Sequence, residues 1–69
     1  MEIKINNQFK SYSHYESLTL QQLLDLEMPE KQKGIAVAIS NKVVPKAEWA
    51  TTSISENDEI LIIKATQGG

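Results

Sequence analysis

The sequence predicts a small α+β domain in which a mixed sheet carries one main helix on one face. Three observations lead there. Ile3 and Ile5 alternate with Glu2, Lys4 and Asn6, the pattern of a half-buried strand able to open a hairpin. One well-delimited helical segment follows, beginning at Thr19. The closing run Ile60–Ile63 is apolar without interruption, which suits a strand covered on both faces and often paired in parallel. A chain of 69 residues holds a single domain, 1–69, with a flexible tail expected at about 66–69. A domain of this size buries only about 60% of its unfolded surface, so it has one modest core and no cleft between domains.

The elements follow in order. Asn6-Asn7 suits a tight turn because asparagine tolerates positive φ. Gln8 to Tyr12, with Phe9 apolar, returns as the second strand, and Ser11 to Ser17 reads as an edge and loop. Thr19 and Gln22 stand at capping-box spacing, and Leu18 and Leu23 at the positions of a hydrophobic staple. Leu20, Leu23 and Leu24 form the apolar helix face, with Gln21 and Glu27 expected outside. Pro29 disfavours helical geometry at Met28 and ends the helix there. Glu30 to Gly34 is a charged, solvated connection. Ile35, Val37 and Ile39 alternate with Ala36, Ala38 and Ser40 as the next strand. Asn41-Lys42 is read as a turn, Val43-Val44 as a short strand closed by Pro45, and Lys46 to Thr52 as a turn or short helical piece around Trp49. A turn at Glu56-Asn57-Asp58 leads into the last strand, Glu59 to Ala65.

Composition excludes several kinds of function. Seven Lys against nine Asp plus Glu, with no Arg, lacks the clustered basic face that nucleic acid requires. With no cysteine there is no disulfide framework, no zinc-finger spacing and no thiol nucleophile, and the expected compartment is the cytoplasm. Met1-Glu2-Ile3-Lys4 has no apolar signal region, and no stretch approaches the length of a membrane span. His14 has no partner at ligand spacing, so no metal site is expected. Asp25, Glu27 and Glu30 read as a solvated face rather than an acid–base pair. Tyr12 and Tyr15 read as edge cover, and Trp49 as a packing anchor for the turn after Pro45, with a partner contact as its alternative. No catalytic residue is assigned, and the chain is not read as an enzyme.

The sequence given closes on Gly68-Gly69, directly after the apolar strand. Two glycines cannot pack, and ordering them costs backbone entropy, so they serve a fold poorly. Lacking a Cβ, they can thread a narrow cleft and present a carboxylate to an enzyme. Taken alone, the pair has coincidence as a competing reading.

Residues 34–50, GIAVAISNKVVPKAEWA, and 58–69, DEILIIKATQGG, are similar to the small sulfur carriers of thiamin biosynthesis, the ThiS family, which is ubiquitin-like in fold. The Ala-Val-Ala-Ile strand, Val43-Val44-Pro45 with Glu48-Trp49-Ala50, the acidic turn and the di-glycine carry the resemblance, and Thr19 to Leu24 resembles the family's capped helix. It implies a β-grasp sheet with the last strand central, parallel to the first and lying between it and the Ile35 strand. It also implies that an E1-like adenylyltransferase uses ATP and Mg²⁺ to adenylate Gly69. Sulfur drawn from cysteine by a desulfurase then makes Gly69 a 1-thioglycine, and thiazole synthase accepts that sulfur. Gly68, Gln67 and Thr66 would be recognised along the tail. This chain would bind no cofactor itself and would be a monomer on its own.

Period-2 geometry separates Ile60 and Ile62 from Leu61 and Ile63, but parity alone does not say which pair faces out. The resemblance favours Leu61 and Ile63, flanked by Ala36 and Ala38, as an outward apolar surface for a partner. Other functions stay open at this stage. One is a carrier resembling the small subunit of molybdopterin synthase, although Ala65-Thr66-Gln67 lacks the proline often found before that di-glycine. Another is a modifier joined to lysines. The last is a β-grasp interaction module with an idle tail.

Overall fold

The computed structural model describes residues 1–30 and 32–64. Along the chain lie β1 (Glu2–Ile5), β2 (Gln8–Ser11), β3 (Leu18–Thr19), α1 (Leu20–Glu27), β4 (Ile35–Ile39), β5 (Lys42–Val44), a 3-10 turn (Lys46–Glu48), β6 (Ser53–Ile54) and β7 (Glu59–Lys64). Among the described residues the main sheet has the order β2-β1-β7-β4-β5. β7 is parallel to β1 and antiparallel to β4, the central position expected of it.

Local chemistry explains most boundaries. Asn6 and Asn7 hold φ of 49° and 67°, the left-handed pair that a two-residue hairpin turn needs. The capping box forms: Thr19 Oγ1 accepts from the Gln22 amide at 3.1 Å, and Gln22 Oε1 accepts from the Thr19 amide at 2.9 Å. Such a cap contributes about 1 kcal/mol. Leu18 and Leu23 of the staple are both buried. Ser40 and Asn41, at φ 49° and 70°, make the β4–β5 turn. It therefore falls one residue earlier than Asn41-Lys42, and Lys42 belongs to β5. The 3-10 turn follows Pro45, and Trp49 beyond it is only 1% exposed. Its indole Nε1 donates to the Val44 carbonyl at 3.0 Å, so the packing reading of Trp49 holds. β3 and β6 pair antiparallel as a short second sheet. They are too short to leave a periodic signal.

The core lies between α1 and one face of the sheet. Ile3, Leu20, Leu23, Leu24, Val37 and Trp49 are fully buried, with Ile5, Leu18, Ile54 and Ile60 around them. Each such side chain contributes about 1.5–3 kcal/mol of transfer free energy.

Glu27 corrects the expectation of a solvated acidic face. Leu20, Leu23, Leu24 and Glu27 share one side of the helix, and Glu27 is half-buried there. Its Oε1 receives Lys10 Nζ at 2.7 Å, and its Oε2 accepts from the Tyr12 hydroxyl. Together these tie β2 and the chain just after it to the end of α1. Burial works to raise the Glu27 pKa, but the hydrogen bonds from Lys10 and Tyr12 and the Lys10 charge outweigh it and hold the carboxyl below its ordinary value. Burial first, then the bond to Glu27 and its charge, push the Tyr12 phenol well above its usual range. The stability from Glu27 is therefore present above the unfolded carboxylate pKa, about 4.3, and disappears as pH falls through the lower folded value. That from Tyr12 is present below about pH 10 and disappears as pH rises beyond it. Glu27→Gln is expected to lower stability by about 1–2 kcal/mol in urea unfolding at pH 7. The gap to wild type should narrow at pH 3. An equal gap at both pH values would show that the carboxylate charge is not its source.

Candidate functional site

β7 organises the candidate site. Its pairing with β4 sets Ile60 against Ile39, Leu61 against Ala38, Ile62 against Val37 and Ile63 against Ala36. Alternation then sends Ile60 and Ile62 toward the helix and Leu61 and Ile63 to the opposite face. Ile60 is 2% exposed, whereas Leu61 and Ile63 are 46% and 50% exposed. The outward assignment of Leu61 and Ile63 is thus the one the fold adopts. An unbroken apolar run read as a strand covered on both faces, but here only one face is covered among the described residues.

The small residues opposite differ from each other. Ala36 is exposed, but Ala38 is buried. Ala38 sits in register between Leu61 and Val43, whose larger side chains flank its methyl group. It is part of the floor of this surface rather than an exposed contact, which corrects its expected role.

Two large residues extend the surface beyond what periodicity identified. Val43 on β5 is 73% exposed and Phe9 on β2 is 68% exposed. Phe9 lies opposite Lys4 in the hairpin, with the Lys4 ammonium 5.5 Å from its ring centroid. That distance is within cation–π range. The signal was in the register: Ile3 and Ile5 face the core, so Lys4 and its partner Phe9 must face away. The open face thus carries Phe9, Leu61, Ile63 and Val43, with Glu2 and Glu59 at its polar end.

Thr66, Gln67, Gly68 and Gly69 lie outside the described residues, as does Ala65 at the expected end of the last strand. Lys64 is exposed and closes the described part of β7. The base of the strand is firmly held. The Lys4 amide donates to the Asp58 carbonyl at 2.9 Å, the Asn57 amide to the Glu2 carbonyl at 2.7 Å, and the Asn6 amide to the Ile60 carbonyl at 2.9 Å.

The remaining polar groups make structure. Asp25 accepts from Gln32 at 2.8 Å and from Gln21 at 2.9 Å, and these bonds hold its carboxyl below the usual range. This network staples the helix to the loop that follows. His14 and Tyr15 are exposed, and among the described residues no three His, Cys, Asp or Glu side chains group as metal ligands. No helix of the described residues is long and apolar enough to cross a membrane.

This geometry agrees with what known proteins resemble the chain. The model of the ThiS family matches residues 3–69. The sulfur carrier protein ThiS of Escherichia coli (strain K12) is 33% identical over 51 residues, covering 74% of this chain and 76% of that protein. The crystal structure of a thiamine biosynthesis protein (ThiS) from Geobacter metallireducens superposes with a TM-score of 0.90 at 19% identity, covering all of both chains. A solution structure of a thiamine biosynthesis protein from the same organism gives a TM-score of 0.80 at 19% identity, over 100% of this chain and 88% of that one. At that identity the two structures speak for the fold alone.

Proposed function

We propose, from the premise that this chain belongs to the ThiS family, that it is a sulfur carrier of thiamine biosynthesis whose working group is the carboxylate of Gly69. The observation that carries this reading is the reach of the family match, which runs through the whole domain to the Gly68-Gly69 pair. The β-grasp fold and the E. coli relative support it.

The chemistry follows from the carboxylate. A chain-terminal carboxylate is ordinarily ionised at neutral pH and is a poor electrophile. An E1-like adenylyltransferase would let one carboxylate oxygen attack the α-phosphorus of ATP, with Mg²⁺ on the departing pyrophosphate. A desulfurase would take sulfur from cysteine as a persulfide, whose terminal sulfur would displace AMP from the acyl carbon. A thiol reductant would then cleave the S–S bond, releasing the thiocarboxylate and leaving a disulfide. Thiazole synthase would take up that sulfur and return the carboxylate. The domain therefore acts as a recycled co-substrate, and the nucleotide and metal belong to its partner. The absence of cysteine in this sequence suits the role, since no internal thiol can intercept the acyl adenylate.

Partner recognition is assigned to two regions. Thr66, Gln67 and Gly68 would line the partner's tail cleft. The exposed face around Leu61 and Ile63, with Ala36 beside them and Ala38 beneath, would hold the activating enzyme against the body of the domain.

The test is intact-mass spectrometry. Incubation with the E1-like enzyme of the same organism, ATP and a sulfur source should raise the mass by the difference between sulfur and oxygen. Conjugates to lysines of other proteins in place of that change would identify a modifier. No reaction at all would leave only an interaction module and overturn the reading.

A further inference from the structure

Asn6 does more than turn the chain. The parallel pairing of β1 with β7 covers Lys4 with Glu59 and Ile5 with Ile60, and β1 then ends as the chain turns into β2. β7 continues to Lys64 and keeps β4 along its other edge as far as Ile35 opposite Lys64. Beyond Ile60, its β1-side edge has lost its backbone partner. The side-chain amide of Asn6 fills that place. Asn6 Oδ1 accepts from the Ile62 amide at 2.8 Å, and Asn6 Nδ2 donates to the Ile62 carbonyl at 3.3 Å. One planar amide thus pairs with both backbone groups of one residue, which a longer β1, running parallel, would satisfy from two of its residues. The left-handed backbone at Asn6, φ 49°, allows this, because the main chain leaves the sheet while the side chain remains in line with the strand.

We propose that Asn6 is a positioning residue for tail presentation: its amide holds β7 in the sheet at Ile62 and so sets the direction in which the strand delivers the tail. The inference rests on the carrier reading of Gly69. Ile62 is seven positions before Gly69. The activating enzyme must engage the open face and receive the carboxylate in one complex. A strand held on both edges as far as Ile62 keeps these two events in a fixed relation, whereas one held there only by β4 leaves that relation loose. A misplacement of about 1 Å can cost up to 100-fold in rate. The Asn6 bonds act at Ile62, seven positions before the reacting carboxylate, so the effect is smaller.

Asn6→Gly keeps the left-handed turn without strain and removes both side-chain bonds. Asn6→Asp also tolerates the turn. It keeps the acceptor for the Ile62 amide but sets an oxygen against the Ile62 carbonyl. Both variants are to be measured in ATP-dependent adenylation by the E1-like enzyme, followed as pyrophosphate release over a range of carrier concentrations. Hydrogen exchange at the Ile62 amide is read alongside. Faster exchange at Ile62, a fall in kcat of about three- to tenfold and a KM within about twofold of wild type support the proposal. Faster exchange at Ile62 with unchanged kcat would reduce Asn6 to a structural role and overturn it. A rise in KM alone would place the effect on docking and also overturn it. Failure of the wild-type chain to be adenylated would overturn the carrier reading itself, and with it this inference. Any deficit confined to the variants speaks about Asn6 alone.

Discussion

Deleting Gly69 abolishes thiocarboxylation while leaving the domain folded. The expectation follows from chemistry. Adenylation and sulfur transfer both take place at one acyl carbon, and the reading proposed here places that carbon on Gly69. Removing it leaves a carboxylate on Gly68, one residue nearer the body. The shortened tail loses about 3.5 Å of reach. It also moves Gln67 next to the reacting position, where a side chain obstructs the close approach that glycine permits. Stability should change by less than about 0.5 kcal/mol, because the deletion leaves every residue of the described core in place. The circular dichroism spectrum and thermal midpoint should match wild type, while the mass change on incubation with the activating enzyme, ATP and sulfur should vanish. A truncated chain that still gains sulfur would show that the cleft reads the body alone, and the assignment of Gly69 would be lost.

Local signals carried much of this fold in the sequence, and the exceptions have physical causes. The capping box at Thr19 and Gln22 and the staple at Leu18 and Leu23 depend on neighbours in sequence, and both are found where the spacing put them. Strand order is non-local, so the central place of β7 rests partly on family resemblance and not on pattern alone. The β4–β5 turn slipped by a residue because Ser40 occupies a left-handed conformation that its residue type does not advertise. Glu27 was legible but overridden. Its spacing from Leu20 and Leu24 puts it on the inner side of α1, where Lys10 and Tyr12 complete it, yet its charge argued for solvent. The candidate site divided in the same way. Alternation separated Leu61 and Ile63 from Ile60 and Ile62, and only the packed helix decides which pair is outward. Phe9 and Val43 join that face through registers with other strands, and Asn6 meets Ile62 across a separation of 56 residues. None of these is visible in a window of neighbouring residues.

Charging β7 at two positions three residues apart should produce opposite outcomes. Ile63→Glu places a carboxylate on the exposed face beside Ala36, where water can still solvate it. The domain should fold, but binding to the activating enzyme should weaken at least several-fold. The reason is reach. The five residues after Lys64 span at most about 16–18 Å when fully extended. An enzyme holding Gly69 at its nucleotide site must therefore contact the body close to the end of β7. Leu61 and Ile63 are the large apolar side chains of that strand presented there, and a charge at Ile63 would have to be desolvated in the complex. Ile60→Glu is the contrasting case. Ile60 is 2% exposed and belongs to the core cluster with Ile5 and Val37. An unpaired carboxylate there costs several kcal/mol, comparable with the whole stability of a domain this small. Ile60 is a cleaner probe than Ile62, because Ile62 shares a surface depression with Lys10 and Lys64, either of which could pair with a new carboxylate. Circular dichroism on both variants and a binding titration on the folded one separate the outcomes. A folded Ile63→Glu protein that binds as tightly as wild type would remove the open face from the docking surface and leave recognition to the tail alone.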